Sequence, residues 1–171
     1  TDPLAASFGV PAKAHVPWRG QPLVNRVLQA LADSDSVQDV IYVGSVPEGV
    51  TMWPTFTVPS GKRFSDSAAL GLGAALAAAP GTRLLLVTGD LPWLSGSAID
   101  AFARQAGADL NYPVIPREVA LKQFPEQQRT WVKLKQGHVT GGNLAIIRPE
   151  VVAALLLLTG RFFAARKIPL A

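Results

Sequence analysis

Apolar runs alternating with helix-like periods predict an α/β layered fold with a mostly parallel sheet. Three observations carry that prediction. Leu84-Leu85-Leu86-Val87-Thr88 contains no charged or strongly polar residue, as suits a strand buried on both faces. Val40-Ile41-Tyr42-Val43-Gly44 and Asn143-Leu144-Ala145-Ile146-Ile147 read as strands of the same kind. The segments between them place apolar residues at helical spacing.

The elements follow in order. Pro22 suits the first turn of a helix continued by Leu23, Val24, Val27, Leu28 and Leu31. Strand 40–44 comes next, then a loop over 45–64 with a brief strand at Phe56-Thr57-Val58. Ser65 or Asp66 is placed to cap a helix over Ala68–Ala79, which Pro80-Gly81 stops. After strand Arg83–Thr88, Ser95 or Ser97 opens a helix through Ala106. Tyr112-Pro113-Val114-Ile115 reads as a strand that Pro113 confines to an edge or bulge. Arg129–Lys135 alternates, with Val132 and Leu134 on one side and Arg129, Lys133 and Lys135 on the other. Such lysine-bearing faces belong at the edge of a mixed sheet. Strand 143–147 and a helix from Pro149-Glu150 through Leu158 close the pattern.

The 171 residues suffice for one well-packed domain, taken as spanning the whole chain. At 49% hydrophobic and 16% charged, the composition excludes a disordered chain. The absence of cysteine removes disulfides, thiolate chemistry and cysteine-ligated zinc together. His15 and His138, the two histidines, leave little for a histidine metal site. Catalysis therefore rests on carboxylates, lysines, arginines, hydroxyls or a bound ion. The net charge of +4 is spread along the chain without a basic-aromatic cluster, so nucleic acid is not the expected partner. A small polyanion such as a nucleoside triphosphate suits the same balance. No apolar run approaches the roughly 18–20 residues of a membrane-spanning helix, and no membrane partner is expected. Thr1-Asp2-Pro3-Leu4 shows no secretory pattern, which makes the cytoplasm the expected location. The oligomeric state is not legible.

Asp90 is the leading chemical candidate. Gly89 lets the backbone turn at the carboxyl end of the central strand, where open α/β sheets bind ligands. A carboxylate there can hold a divalent metal, and through it phosphates. The same residue could equally cap the following helix, although Ser95 and Ser97 are better placed. Lys13 lies in a loop after Gly9 and can neutralise a triphosphate as a movable point charge, or sit solvated on the surface. Thr140-Gly141-Gly142-Asn143 reads as a tight turn between two strands, either open to a ligand or an ordinary hairpin. Gly71-Leu72-Gly73 falls inside a helix and fails the context for dinucleotide binding. Neither a Gly-x-x-x-x-Gly-Lys-Ser/Thr phosphate loop nor a Gly-x-Ser-x-Gly nucleophile elbow occurs.

The order of these pieces resembles a known family. Lys13 followed by Gly20-Gln21-Pro22-Leu23-Val24 is similar to the lysine and Gly-x-Pro-Leu segment of molybdopterin guanylyltransferase-like (MobA-like) NTP transferases. Val40–Gly44 is similar to their second strand, and Thr88-Gly89-Asp90-Leu91-Pro92 to their metal-binding strand end. Arg63-Phe64-Ser65-Asp66-Ser67 resembles the segment that places an Arg and a Ser near the nucleotide in related cytidylyltransferases. The run from Arg129 through Gly141-Gly142-Asn143-Leu144 is similar to a bacterial subgroup of unassigned acceptor. The resemblance implies a three-layer α/β/α sandwich with a mostly parallel mixed sheet, the nucleotide-diphospho-sugar transferase fold. It implies Mg²⁺ as cofactor, with Asp90 as its ligand and Lys13 and Asp90 as the catalytic pair. Lys13, Gly44, Arg63, Ser67 and Gly89 would bind the nucleotide, and Gly141, Gly142 and Asn143 would line the acceptor side.

The implied chemistry is transfer of a nucleoside monophosphate from a triphosphate to a phosphate or hydroxyl acceptor, releasing pyrophosphate. The alternative is a non-catalytic nucleotide- or sugar-phosphate-binding domain with a degenerate phosphate loop. The resemblance also implies a first strand ending in a Leu-x-Gly-Gly loop before Thr1, and a second metal-binding Asp beyond Ala171. The chain is therefore read as a domain lacking its first strand and its C-terminal end.

Overall fold

The computed structural model describes residues 2–165. Asp2 opens the chain by capping helix α1 (Pro3–Ser7), its carboxylate accepting from the Leu4 amide at 3.0 Å and the Ala5 amide at 3.4 Å. A 3-10 turn at Lys13–His15 leads into a two-strand hairpin, β1 (Pro17–Trp18) and β2 (Gln21–Pro22). Arg19 and Gly20 both take positive φ, 51° and 81°, as a two-residue hairpin turn requires. This turn puts Pro22 in a strand instead of the expected helix start, and helix α2 (Val24–Ala32) begins two residues later. The turn chemistry of Arg19-Gly20 thus outranks the preference of proline for a first helical turn.

Strands β3 (Ile41–Val43) and β4 (Phe56–Val58) pair in parallel, Ile41 opposite Phe56 and Val43 opposite Val58. Helix α3 (Phe64–Ala78) starts earlier than expected because Asp66 acts from inside its first turn, accepting from the Arg63 amide at 3.2 Å. Strand β5 (Leu84–Val87) follows, then helix α4 (Gly96–Gln105), which Ser95 caps by accepting from the Ala98 amide at 3.2 Å. The chain continues through β6 (Leu110–Asn111), β7 (Val114–Pro116), helix α5 (Arg117–Gln123), β8 (Val132–Leu134), β9 (Gly137–Gly141) and β10 (Leu144–Ile147). A 3-10 turn at Pro149–Val151 then leads into α6 (Val152–Ala165). Helix α5 and the separate strand β9 are not legible in the residue pattern.

The layering is α/β/α. Leu84 and Leu86 of β5 pack with Leu72 of α3, Ala145 and Ile147 of β10, and Val152 of α6. Leu85 and Val87, pointing the other way, pack with Val27 and Leu31 of α2 and Ile99 of α4. Alternate residues of one strand thus enter two different cores, which explains the unbroken apolar run. Val40 and Tyr42 of the β3 segment join a third cluster with Val24 and Leu28 of α2 and Val50.

Among the described residues, parallel pairing is confined to the β3–β4 ladder. Strand β10 runs antiparallel to both β5 and β6, and β9 antiparallel to both β7 and β8. The described strands fall into four ladders, β1–β2, β3–β4, β5–β10–β6 and β7–β9–β8, so the pairing is mixed, with less of it parallel than expected. A parallel neighbour requires a crossover helix. Helix α5 packs on β7 and β9 instead of crossing the central strands, so β10 returns antiparallel. The expected apolar side of strand 129–135 is not buried either, since Val132 and Leu134 are exposed. A first strand before Thr1 and an Asp beyond Ala171 lie outside the described residues.

The join between α2 and α4 is tight. A Cβ on Gly96 would fall onto the backbone of Asp33, so the start of α4 abuts the end of α2. Asp100 of α4 accepts from the buried Ser34 hydroxyl at 2.6 Å and the Ser36 amide at 3.0 Å. Bonds from Ser34 and Ser36 outweigh the opposing effect of burial and hold the Asp100 carboxyl down to about 2 from an ordinary 3.8. Its pKa is lowered on folding, so its stabilisation is complete above pH 3.8 and is lost as pH falls towards 2. Asp100→Asn is expected to lower the melting temperature at neutral pH and flatten the melting curve's pH dependence between those limits. Thermal melts of both proteins from pH 2 to 7 provide the check.

Candidate functional site

The site is built outward from the end of β5. Past Val87 the strand has one last ladder-like bond, the Thr88 amide donating to the Asn143 carbonyl at 3.2 Å. Gly89 follows at a crowded point. A Cβ there would stand 3.1 Å from the Ala14 Cβ and 3.3 Å from Val24 Cγ2. Glycine is thus what lets the Lys13–His15 turn and the start of α2 close directly onto the end of β5.

That closure brings Lys13 to Asp90. Lys13 Nζ lies 3.9 Å from Asp90 Oδ2 and 3.1 Å from Asp2 Oδ2, with all three side chains between about a quarter and a half exposed. Asp2 carries no signal in the sequence, because its roles are a local helix cap and an ion pair made eleven residues away. Burial works against ionisation of Asp2. The bonds donated by Lys13 and by the Ala5 and Leu4 amides outweigh it and leave the carboxyl below its ordinary range. Asp90 does not cap α4, since Ser95 does. The buried Thr88 hydroxyl, adjoining this corner, has no hydrogen-bond partner.

The second group of expected residues surrounds the start of α3. Ser67 Oγ accepts from the Gly61 amide at 3.0 Å, closing the loop that leads into the helix. Arg63 donates to Asp66 from Nε at 3.2 Å and from Nη2 at 3.0 Å. Asp66 raises the Arg63 guanidinium above its usual range, and Arg63 lowers the Asp66 carboxyl. Gly44 ends β3 with φ 124° and donates to the Val58 carbonyl at 2.8 Å.

Leu86, near the end of β5, lines a small cavity with Phe64, Ser65, Ala68 and Leu72, so the N-terminal half of α3 lies beside the later part of the strand that leads to Asp90. The first turn of α3 follows the carboxyl end of β4, whose parallel partner β3 ends in Gly44. Lys13, Gly89 and Asp90 thus gather at the carboxyl end of β5, and Gly44, Arg63 and Ser67 beside the carboxyl ends of β3 and β4, the strand ends at which ligands of open α/β sheets bind.

Gly141, Gly142 and Asn143 do not form a hairpin turn. Strand β9 pairs with β7 and β8, whereas β10 pairs with β5 and β6, and the two do not pair with each other. They are two stretches of one strand that changes sheets at a bulge. Opposite the two residues Tyr112-Pro113 stand the four residues 142–145. A Cβ on Gly141 would overlap the Tyr112 hydroxyl, and one on Gly142 would lie 2.9 Å from Pro113 Cγ. The glycine pair is thus accounted for by close packing against Tyr112-Pro113. Asn143 takes φ 60°, a left-handed conformation that asparagine tolerates. That conformation belongs to the same residue whose carbonyl receives the Thr88 amide.

Among the described residues, no three His, Asp or Glu side chains gather as a metal cluster. The donor at the strand end is the Asp90 carboxylate, with the Lys13 ammonium beside it. This fits Mg²⁺, which is commonly held by one or two carboxylates with substrate phosphates and water completing the shell. No helix among the described residues is long and apolar enough to cross a membrane.

A family model described as the MobA-like NTP transferase domain matches residues 5–167. A solved hypothetical transferase from Thermus thermophilus is 36% identical, with TM-score 0.82 over 99% of this chain and 70% of that one. The 2-C-methyl-D-erythritol 4-phosphate cytidylyltransferase of the same organism is 14% identical, with TM-score 0.59 over 87% and 71%. A CMP:2-keto-3-deoxy-manno-octonic acid synthetase solved with CTP is 11% identical, with TM-score 0.60 over 85% and 71%. The latter two likenesses show the fold. A comparison with curated proteins finds no match.

Gly89→Ala is expected to cost about 1–3 kcal/mol through overpacking against Ala14 and Val24. Ala14→Gly in the same chain should recover part of that loss, whereas Ala14→Gly alone should not stabilise. Denaturant melts of the two single variants and the double variant measure the coupling.

Proposed function

The chain belongs to the family of MobA-like NTP transferase domains, and from that premise we propose that it transfers a nucleoside monophosphate from a triphosphate to a phosphate or hydroxyl acceptor. The acceptor oxygen attacks the α-phosphorus, the bond to the bridging oxygen of the β-phosphate breaks, and pyrophosphate leaves. The single observation carrying this reading is the meeting of Lys13 and Asp90, 3.9 Å apart, at the carboxyl end of β5.

Each side chain has a part in the proposal. Lys13 offers a compact positive charge on a flexible stem and can follow the triphosphate as negative charge moves to the departing pyrophosphate. Asp90 would hold Mg²⁺ through its carboxylate. When bound, Mg²⁺ would supply electrostatic stabilisation of the phosphate oxygens. Gly89 gives the backbone room beside Asp90, and Gly44 does the same at the end of β3. Arg63 and Ser67, held at the start of α3, stand beside the carboxyl ends of β3 and β4 for the base or ribose. Gly141, Gly142 and Asn143 shape the strand that borders the acceptor side. The scheme needs no covalent enzyme intermediate, so a chain without cysteine is adequate for it.

A non-catalytic nucleotide- or sugar-phosphate-binding domain is the second reading, favoured by Asp90 having, among the described residues, no cluster of further His, Asp or Glu side chains around it. It predicts triphosphate binding without pyrophosphate release in the presence of acceptor phosphates.

Calorimetry with each of the four ribonucleoside triphosphates and Mg²⁺ tests the first reading. At least one triphosphate is expected to bind, and absence of binding by all four would sink it. Asp90→Asn should abolish the Mg²⁺ dependence of that binding while leaving the melting temperature within a few degrees of the parent. Lys13→Met should weaken binding by about ten- to a hundredfold, the scale of one lost charge-assisted contact of about 1.5–3 kcal/mol. Undiminished binding by Lys13→Met would return Lys13 to the solvated surface.

A further inference from the structure

Asp2 belongs to neither the sequence motifs nor the chemical roles so far assigned, yet it is the nearer carboxylate to Lys13. Nζ stands 3.1 Å from Asp2 and 3.9 Å from Asp90, so the ammonium is drawn away from the residue it faces across the site. Asp2 is itself fixed. Its Oδ1 accepts from the Leu4 and Ala5 amides at the start of α1, while its Oδ2 meets Lys13. One oxygen thus anchors the carboxylate to a helix and the other is left for the lysine.

We propose that Asp2 is a positioning residue that holds Lys13 off Asp90 and keeps the Asp90 carboxylate open to a divalent cation. This rests on the reading of Asp90 and Lys13 given above. Without Asp2, the lysine has one carboxylate within reach instead of two and closes onto it. A cation approaching Asp90 must then displace a direct ion pair. The charge balance works in the same direction. Asp2, Lys13 and Asp90 together carry one net negative charge, which favours a cation, and removal of Asp2 makes the trio neutral. When a triphosphate arrives with its cation, Lys13 leaves Asp2 for the phosphates, and Asp2 stays fixed by α1. A partly exposed ion pair is a weak contact, so the effect is graded and small.

The test separates the ion pair from the helix cap. Asp2→Ser keeps an oxygen that can accept from the Leu4 and Ala5 amides and removes the charge, whereas Asp2→Ala removes both. Triphosphate binding is followed by calorimetry as Mg²⁺ is titrated, alongside thermal melts. For Asp2→Ser the expected result is an unchanged melting temperature and a Mg²⁺ midpoint raised about two- to fivefold, the range of an exposed ion pair. Metal-free triphosphate binding should be no weaker than in the parent, because the loss of the Asp2 charge leaves the corner less repellent to phosphates. Asp2→Ala should show the same midpoint shift with a lower melting temperature. A Mg²⁺ midpoint unmoved in Asp2→Ser, with the parent binding normally, overturns the positioning role and leaves the site reading standing. A parent protein that binds no triphosphate with Mg²⁺ overturns both.

Discussion

Everything at the candidate site depends on the double burial of β5. Leu84 and Leu86 are committed to the core under α3 and α6, and Leu85 and Val87 to the core under α2 and α4. Leu84 is buried and the other three are partly buried. Since full burial of such a side chain contributes on the order of 1.5–3 kcal/mol, each supplies a part of that against slipping or rotation of the strand. A slip by one residue would exchange the two cores. Polar chemistry can begin only where the strand leaves the layers, and Gly89 is that point. Asp90 is therefore placed by the packing of Leu84–Val87.

The packing on Gly89 extends this control to Lys13. Ala14 and Val24 approach the glycine so closely that a single methyl group would crowd them. The 3-10 turn bearing Lys13 is therefore seated on the strand end, and the lysine stem is left free to reach Asp2 and Asp90. A site that handles phosphates profits from this division. Its backbone is set by apolar contact, while its charges stay near solvent and able to exchange partners.

Much of this is legible in the sequence, and the failures have physical causes. The central strand and Asp90 can be read because a strand buried on both faces leaves an unmistakable run of apolar residues. Lys13 can be matched only through resemblance, since a loop lysine has no local signature. Asp2 is invisible, because capping a five-residue helix and pairing with a lysine eleven residues away leave no periodic trace. Gly141-Gly142 reads as a turn because paired glycines look the same in a hairpin and at a bulge. Long-range pairing decides between them, here the fit against Tyr112-Pro113. Helix α5 escapes because seven residues are too few for a helical period to stand out. The exposed Val132 and Leu134 show that alternation can be present on a strand without a core to receive it.

The bulge at Gly142-Asn143 has a mechanical consequence. One continuous strand serves the outer sheet through Gly137–Gly141 and the inner sheet through Leu144–Ile147. At the junction, the Asn143 carbonyl grips the amide of Thr88, one peptide before the glycine that releases Asp90. The strand that joins the two sheets and the peptide that leads to the carboxylate thus share one hydrogen bond, which ties the seating of the outer sheet and the setting of the Asp90 corner to the same point in the chain.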